Sequence, residues 1–355
     1  MNCSGISRHY APFAGQGKAG QQVARRKAVS VHSHNCAQLP ANLAVGAASA
    51  AIDPWAKAQS RLLPLLPSIM RAWWVVATLA HALLSCMIDI HCHLLPGIDD
   101  GAQTLPISLA MARIAVADGI TTIFCTPHIY PGLYENTGPD IRRRVDELQL
   151  ILRDAGIALE LSYGADTHLV PEVGEGLKTG RIPTLGGSRY LLLEPSHHVR
   201  PPRFTESVFA LIGAGYVPVI THPERLTWVE QHYTDFTDLA RSGAWMQVTG
   251  GALVGRFGAR VKKIAERFVG DGWTHVLASD GHTTGQRAPV LAEALARAGV
   301  LVGKVEAARL VLDRPQAILQ NAQANSVDCP PALVARPKTQ NTGKISSWLP
   351  KWFRQ

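Results

Sequence analysis

The stretch Met87-Ile88-Asp89-Ile90-His91-Cys92-His93-Leu94-Leu95-Pro96-Gly97-Ile98-Asp99-Asp100-Gly101 decides how the rest of the chain is read. An apolar, β-branched run ends on two histidines one residue apart, and a turn with adjacent acids follows. Alternate side chains of a strand share a face, so His91 and His93 are expected together and Cys92 on the opposite side. Two imidazoles so placed can grip one ion, yet an isolated pair of this kind is more often exposed or hydrogen-bonded. Its meaning depends on what else reaches the same end of the sheet.

Outward from that strand the pattern repeats: a short apolar run, a polar turn, a helix-period segment. Strands are expected at Ile88–His93, Thr121–Thr126, Ala158–Gly164, Tyr190–Glu194, Val217–Thr221, Trp245–Thr249 and Thr274–Ser279. Between them, helical segments Ile107–Asp118, Ile141–Ala155, Phe204–Ala214, Tyr233–Ser242 and Val261–Val269 each stop at a glycine. Glycine takes the left-handed residue after a helix at least cost. Two more helical stretches, Pro289–Ala298 and Lys304–Leu312, close the region. Strands alternating with helices predict an α/β fold with an all-parallel sheet and right-handed crossovers, doubly wound or closed as a barrel.

Metal-capable residues gather at the ends of these strands. Beyond His91 and His93, the turn supplies Asp99 and Asp100, and the second strand runs into His128. The third runs into Asp166, the fourth ends on Glu194, the fifth leads to His222, and the seventh leads to Asp280 and His282. Six of the seven strands thus deliver a His, Asp or Glu to the end where β/α barrels keep their active sites. Singly, Glu194 reads as an ion-pair residue and Asp280-Gly281 as an ordinary turn. Together, so many carboxylates and imidazoles would each cost several kcal/mol to bury without cations. Mixed nitrogen and oxygen donors suit Mn, Fe or Zn better than Ca. Arg225 and Arg287 follow His222 and His282 on the same loops, where a guanidinium suits a bidentate grip on phosphate.

Composition bounds the rest. The 355 residues carry a net charge of +8, which by itself points to nucleic acid or an anionic surface. That charge is peripheral: residues 1–86 hold eight Lys/Arg against one acid, and the tail from Ala332 holds five basic residues and no acid. The body between is mildly acidic, so nucleic acid is not expected as a partner. Six scattered cysteines without CxxC spacing indicate a reducing compartment, and a cytoplasmic location is expected. No cysteine is followed by Arg with five residues between, which argues against a cysteine phosphatase. Residues 1–86, rich in Ala, Gly, Ser and Gln, read as disordered or as upstream reading frame before a start at Met87. The apolar stretch up to Cys86 resembles a lipoprotein signal but would leave no linker before the first strand.

These motifs resemble the PHP (polymerase and histidinol phosphatase) superfamily, and most closely its CpsB/YwqE-like bacterial tyrosine-phosphatase branch. The matching stretches are 87–101, Thr126-Pro127-His128, Tyr163-Gly164-Ala165-Asp166, Leu191 to His198, Val219 to Leu226, and Ala278 to His282 with Arg287. The resemblance covers about Met87 to Asn321 and implies a distorted (β/α)7 TIM-like barrel. The domain plan is therefore 1–86 extension, 87–321 barrel and 322–355 basic, Trp-containing tail. The resemblance implies metal ligands at His91, His93, Asp100, His128, Asp166, Glu194, His222, Asp280 and His282, with Glu194 bridging, and phosphate held by Arg225 and Arg287. The family commonly has Glu where this chain has Asp166, and Asp99 is the poorer ligand candidate of its pair. Two or three divalent ions are implied, Mn2+ first, with Fe, Zn, Mg or Co as alternatives. The implied reaction is in-line hydrolysis of phosphotyrosine by a metal-bridging hydroxide. The implied partner is a phosphotyrosine protein, a bacterial tyrosine kinase of polysaccharide export, in capsular or exopolysaccharide biosynthesis.

Four other readings stay open at this point. A histidinol-phosphate type phosphomonoesterase shares the superfamily. A metal-dependent amidohydrolase also opens with His-x-His but usually has eight strands. A metal-stabilised scaffold would hold ions without turnover. The tail, with Trp348, Leu349, Trp352 and Phe353 among basic residues, offers a route to a membrane surface.

Overall fold

The structure, a computed structural model, describes residues 86–334. The expected extension before Cys86 and the tail segment beyond Val334 lie outside the described residues. Among those described, no helix is long and apolar enough to cross a membrane.

Nine parallel strands among the described residues form two sheets. In the first, β1 (Met87–Cys92) pairs with β2 (Ile120–Cys125), and β2 with β4 (Glu160–Tyr163). The second runs in the order β3 (His128–Ile129), β5 (Asp166–His168), β6 (Tyr190–Glu194), β7 (Val217–Thr221), β8 (Trp245–Thr249), β9 (Val276–Ala278). The two sheets are halves of one ring. The chain runs from β2 into β3 through Pro127, which has no N–H to give a ladder, and from β4 into β5 through Gly164-Ala165. Asp166 N still reaches Pro127 O at 3.1 Å across the break. The ring closes where Asp280 N donates to His91 O (2.8 Å) and His93 N to Gly281 O (2.8 Å). Seven barrel staves result, two of them snapped near the mouth, which is the distortion the family resemblance implies.

Strand parity separates two apolar layers. Ile88, Ile90, Tyr190, Leu192, Val217, Val219, Trp245, Val276 and Ala278 fill the barrel. Leu191, Leu193, Ile220, Met246, Val248 and Leu277 face the surrounding helices. Both sides of β1 and of β6 to β9 are therefore buried, as near-continuous apolar runs require in parallel sheets. The helix Asp313–Leu319 closes the floor, sending Ile318 into the inner layer. Residues 322–334 also lie there, with Tyr190 Oη donating to Ala322 O at 3.0 Å.

The strand carrying the two histidines departs from simple alternation. Its register against β2 shifts between Asp89 and Cys92. Ile88 and Ile90 fill the barrel, whereas Cys92, which shares their parity, joins the outer layer. The bulge thereby turns His91 and His93 into the mouth. Such bulges re-aim side chains beside active sites.

Candidate metal centre

The barrel mouth collects all nine residues expected as ligands. His91, His93, Asp166, Glu194, His222, Asp280 and His282 are buried. His91 Nδ1–H donates to Gln247 Oε1 (3.0 Å), and His93 Nδ1–H donates to Asp99 Oδ2 (2.8 Å). Each ring therefore presents its Nε2 inward, and the two Nε2 atoms face each other at 3.2 Å. Two facing lone pairs repel unless a proton or a cation lies between them. Nitrogens sharing an ion at about 2.0–2.1 Å stand roughly 3 Å apart, so a cation fits this pair.

The carboxylates complete overlapping donor sets. Asp166 Oδ2 lies 3.4 Å from His91 Nε2, 3.6 Å from His128 Nδ1 and 3.8 Å from His222 Nε2. Glu194 divides its oxygens: Oε2 faces His128 Nδ1 at 3.6 Å, while Oε1 faces His222 Nε2 at 3.6 Å. Asp100 Oδ1 faces His128 Nε2 at 3.4 Å and His282 Nε2 at 3.3 Å. Ligand atoms converge in four groups: His93/Asp100/His128/His282, His91/His93/Asp166, Glu194/His197/His222 and His128/Asp166/Glu194. Buried atoms without any hydrogen-bond partner include His128 Nδ1, both oxygens of Asp166, His222 Nδ1 and His282 Nε2. Native interiors rarely leave such groups unpaired, and hard-to-soft borderline cations are what this donor chemistry accepts.

Charge behaviour agrees with that geometry. Burial works to lower the His91 pKa, but the negative charges of Asp166 and Asp280 overcome it and raise it to about 9. Without a metal, a proton takes the cation's place. Burial and the neighbouring His282 push His93 down to about 3, and burial and Arg225 push His222 down to about 4. Burial opposes ionisation of Asp280, yet Arg225, His91, His282 and Arg287 hold its pKa well below the usual carboxylate range.

The backbone is bent to serve the site. His222 (φ 33°), directly after β7, and Asp280 (φ 50°), two residues after the end of β9, both adopt left-handed conformations. Such residues cost about 1–3 kcal/mol each and persist where surrounding structure holds them. Gly101 has room for no side chain, since a Cβ there would collide with His93 O and His93 Cβ. That close approach folds the 97–102 turn back on β1, letting Asp99 accept from both His93 Nδ1 and His128 N (3.1 Å). Asp99 thus orients a histidine, while Asp100 points its carboxylate at His128 and His282.

Asp280 joins two chemistries. Its Oδ1 faces His91 Nε2 (3.5 Å), His93 Nε2 (3.6 Å) and His282 Nδ1 (3.5 Å). Its Oδ2 is held by Arg225 Nη1 and by Arg287 Nη2 at 2.9 Å. The Arg225 guanidinium lies over the Phe257 ring at 4.9 Å, and Arg287 Nε is buried without a partner.

Comparison with known proteins agrees with this arrangement. Residues 87–320 match the family described as capsular polysaccharide synthesis, CpsB/CapC. The chain belongs to the CpsB/CapC family. It is 39% identical over 203 residues to the tyrosine-protein phosphatase YwqE of Bacillus subtilis, covering 57% of this chain and 79% of that one. It is 29% identical over 240 residues to the tyrosine-protein phosphatase CpsB of Streptococcus pneumoniae, covering 66% of this chain and 99% of that one. Among solved structures, those of YwqE and CpsB as metal-dependent tyrosine phosphatases include a chain that matches with a TM-score of 0.64 and 34% identity. That match covers 67% of this chain and 96% of the other.

Within this CpsB/CapC chain, four residues at the mouth were not expected from the sequence. Gln247 sits on β8, the one strand from which no site residue was expected, and orients His91. His197 approaches Glu194 Oε1 at 3.0 Å, and His168 approaches Oε2 at 3.6 Å. Tyr130 stacks on His168, with ring centroids 3.9 Å apart. The period of two on β5 places His168 on the face of Asp166, which is a usable signal. For Gln247 and His197 the sequence carries no such signal.

Proposed function

We propose that this chain is a metal-dependent protein-tyrosine phosphatase, a phosphoric monoester hydrolase acting in capsular or exopolysaccharide biosynthesis. The observation that carries this reading is the split role of Asp280, with imidazoles on one oxygen and two arginines on the other. A cation-binding side and a phosphate-binding side meet on a single carboxylate.

His91, His93, Asp166 and Asp280 would hold one ion; Glu194 and His222 a second, with Glu194 bridging; Asp100, His128 and His282 a third. Bound divalent ions would supply Lewis acidity toward a phosphoryl oxygen and lower the pKa of water toward neutrality. The donor set suits Mn2+ first. The remaining work falls to the chain itself. Arg225 and Arg287 bind the phosphate: Arg287 Nε has a free hydrogen-bonding direction, and Phe257 limits the swing of Arg225. Preorganised guanidinium groups stabilise charge that builds on equatorial oxygens during phosphoryl transfer. Gln247 and Asp99 hold two imidazoles in one tautomer each, so the site needs little rearrangement on loading. A phenol pKa of about 10 makes tyrosine a tolerable leaving group with little acid assistance. The substrate is a phosphotyrosyl protein, and the partner we favour is a bacterial tyrosine kinase of polysaccharide export.

Turnover of a phosphotyrosyl peptide and of histidinol phosphate by the Mn2+-loaded protein tests this directly. The peptide is expected to be preferred, and Arg225→Ala should lower kcat/KM on the order of 10²-fold. Strong preference for histidinol phosphate defeats the tyrosine assignment. Retained ions without hydrolysis of either would leave a scaffold role.

A further inference from the structure

Glu224 is a fully buried acid that belongs neither to the metal ligands nor to the phosphate grip. It lies between His222 and Arg225 in the single helical turn Pro223–Arg225, closed by Arg225 N donating to His222 O at 2.9 Å. Its Oε1 accepts from Thr249 N at 2.9 Å, while its Oε2 has no partner among the described residues. The buried hydroxyl of Thr249 has none either. Leaving a buried carboxyl oxygen unanswered is costly, and native interiors rarely do so. An apolar side chain would fill the same space without that cost, so the bond to Thr249 N is what distinguishes the acid.

That bond joins two loops that seat one guanidinium. Thr249 ends β8 and begins the turn Gly250–Leu253, which Arg256 N extends by donating to Gly251 O at 2.8 Å. Phe257 follows, and its ring lies so near Gly251 that an added Cβ would stand 3.2 Å from Phe257 Cε2. The Arg225 guanidinium lies 4.9 Å from the centroid of that ring. The path from Glu224 through Thr249, Gly251 and Phe257 thus returns to Arg225, the neighbour of Glu224 in the chain. Removing the Glu224 bond opens this circuit. The loop after β7 is then left with ties nearer the solvent, such as exposed Arg260, whose Nη2 donates to Leu226 O at 3.3 Å.

We propose that Glu224 is a positioning residue for phosphate binding: through Thr249 N it fixes the seat from which Arg225 reaches the phosphate. This rests on the phosphatase reading of the mouth and adds a residue outside the ligand set. Asp280 holds the Arg225 guanidinium from the metal side, and Glu224 holds the loop that carries it. A misplacement of about 1 Å at a group that orients a substrate can cost on the order of 10²-fold in rate.

The test uses the full chain loaded with Mn2+. Glu224→Met keeps the bulk without an acceptor, whereas Glu224→Gln keeps an acceptor for Thr249 N without the charge. Each is made alone and together with Arg225→Ala. The readouts are kcat and KM for a phosphotyrosyl peptide, inorganic phosphate affinity by calorimetry, and metal content. Glu224→Met is expected to weaken phosphate binding and kcat/KM by about tenfold or more with metal content unchanged, and Glu224→Gln to stay close to wild type. In the Arg225→Ala background, Glu224→Met should cost less than about twofold more, because two residues acting through one group are not additive. Equal losses in both backgrounds, loss of metal, or a Glu224→Gln as impaired as Glu224→Met would each overturn the assignment. Phe257→Leu opens the same circuit from its other end and keeps the proposal testable if Glu224→Met does not fold. It too should lose phosphate affinity with its metal intact, and wild-type affinity there would overturn the proposal. A wild-type chain that neither binds phosphate nor hydrolyses the peptide refutes the phosphatase reading itself.

Discussion

The two ends of the barrel bury charged groups by opposite means. At the floor, fully buried Arg314 donates to Glu306 Oε1 (2.7 Å), Asp328 O (2.8 Å) and His275 O (3.2 Å). His275 is kept neutral there, its pKa lowered well below the ordinary value by burial and by the Arg314 charge, and its Nδ1 accepts from Met246 N at 3.1 Å. The floor's charges are answered by the protein itself. At the mouth, both Asp166 oxygens and several imidazole nitrogens have no partner, and two residues sit in left-handed conformations. The contrast separates burial that serves stability from burial that serves ligand binding, as the two faces of β/α barrels generally do.

Variants at the two ends should therefore fail differently. Asp280→Asn removes a charge at the mouth while keeping a residue that tolerates the left-handed conformation. Steady-state assays should show kcat/KM falling on the order of 10³-fold with the fold retained. Unchanged activity would remove Asp280 from the site. Arg314→Met, at the floor, strands part of a buried ion pair and should cost about 3–5 kcal/mol in denaturant unfolding. Metal content and activity per folded molecule should stay as in wild type. If that variant instead lost metal while keeping its stability, the division between the ends would collapse.

A pH titration sharpens the same comparison. The His91 pKa is raised to about 9 from an ordinary 6.5 by Asp166 and Asp280 acting against burial. A raised imidazole contributes its full stabilisation below pH 6.5 and loses it as pH rises through 9. A shift of that size corresponds to roughly 3 kcal/mol in the metal-free protein. Loading must displace the same proton, so Mn2+ affinity should climb across that window with proton release, and calorimetry in buffers of different ionisation enthalpy would detect it. Flat affinity would mean that His91 is not a ligand. The smallest effect belongs to Asp99→Asn, which weakens the orientation of His93 without removing a ligand. It should lower Mn2+ affinity about tenfold, within the range seen for groups that hold a ligand in place.

Much of the fold and of the mouth is legible in the amino-acid sequence, for identifiable reasons. Strands Tyr190–Glu194, Val217–Thr221 and Trp245–Thr249 have the bounds expected of them, because both faces of each are apolar and the turns beside them are polar. Eight of the nine mouth residues are legible because each sits at or just beyond a strand end, where position alone dictates convergence; Asp100 comes instead from the turn that follows β1. The breaks at Pro127 and Gly164-Ala165 are not, since short two- and three-residue strands such as β3 and β5 carry too little pattern to register. His197 and Gln247 are invisible for another reason: their roles depend on which loops meet in space.

Cations sitting among the imidazoles and carboxylates of the mouth are what every other conclusion depends on. Anomalous X-ray scattering at the manganese edge, from crystals of the Mn2+-loaded protein, tests this most directly. More than one peak is predicted, lying between His91, His93, Glu194, His222 and Asp280. Strong peaks elsewhere, or none at the mouth in protein that still hydrolyses phosphotyrosine, would contradict it.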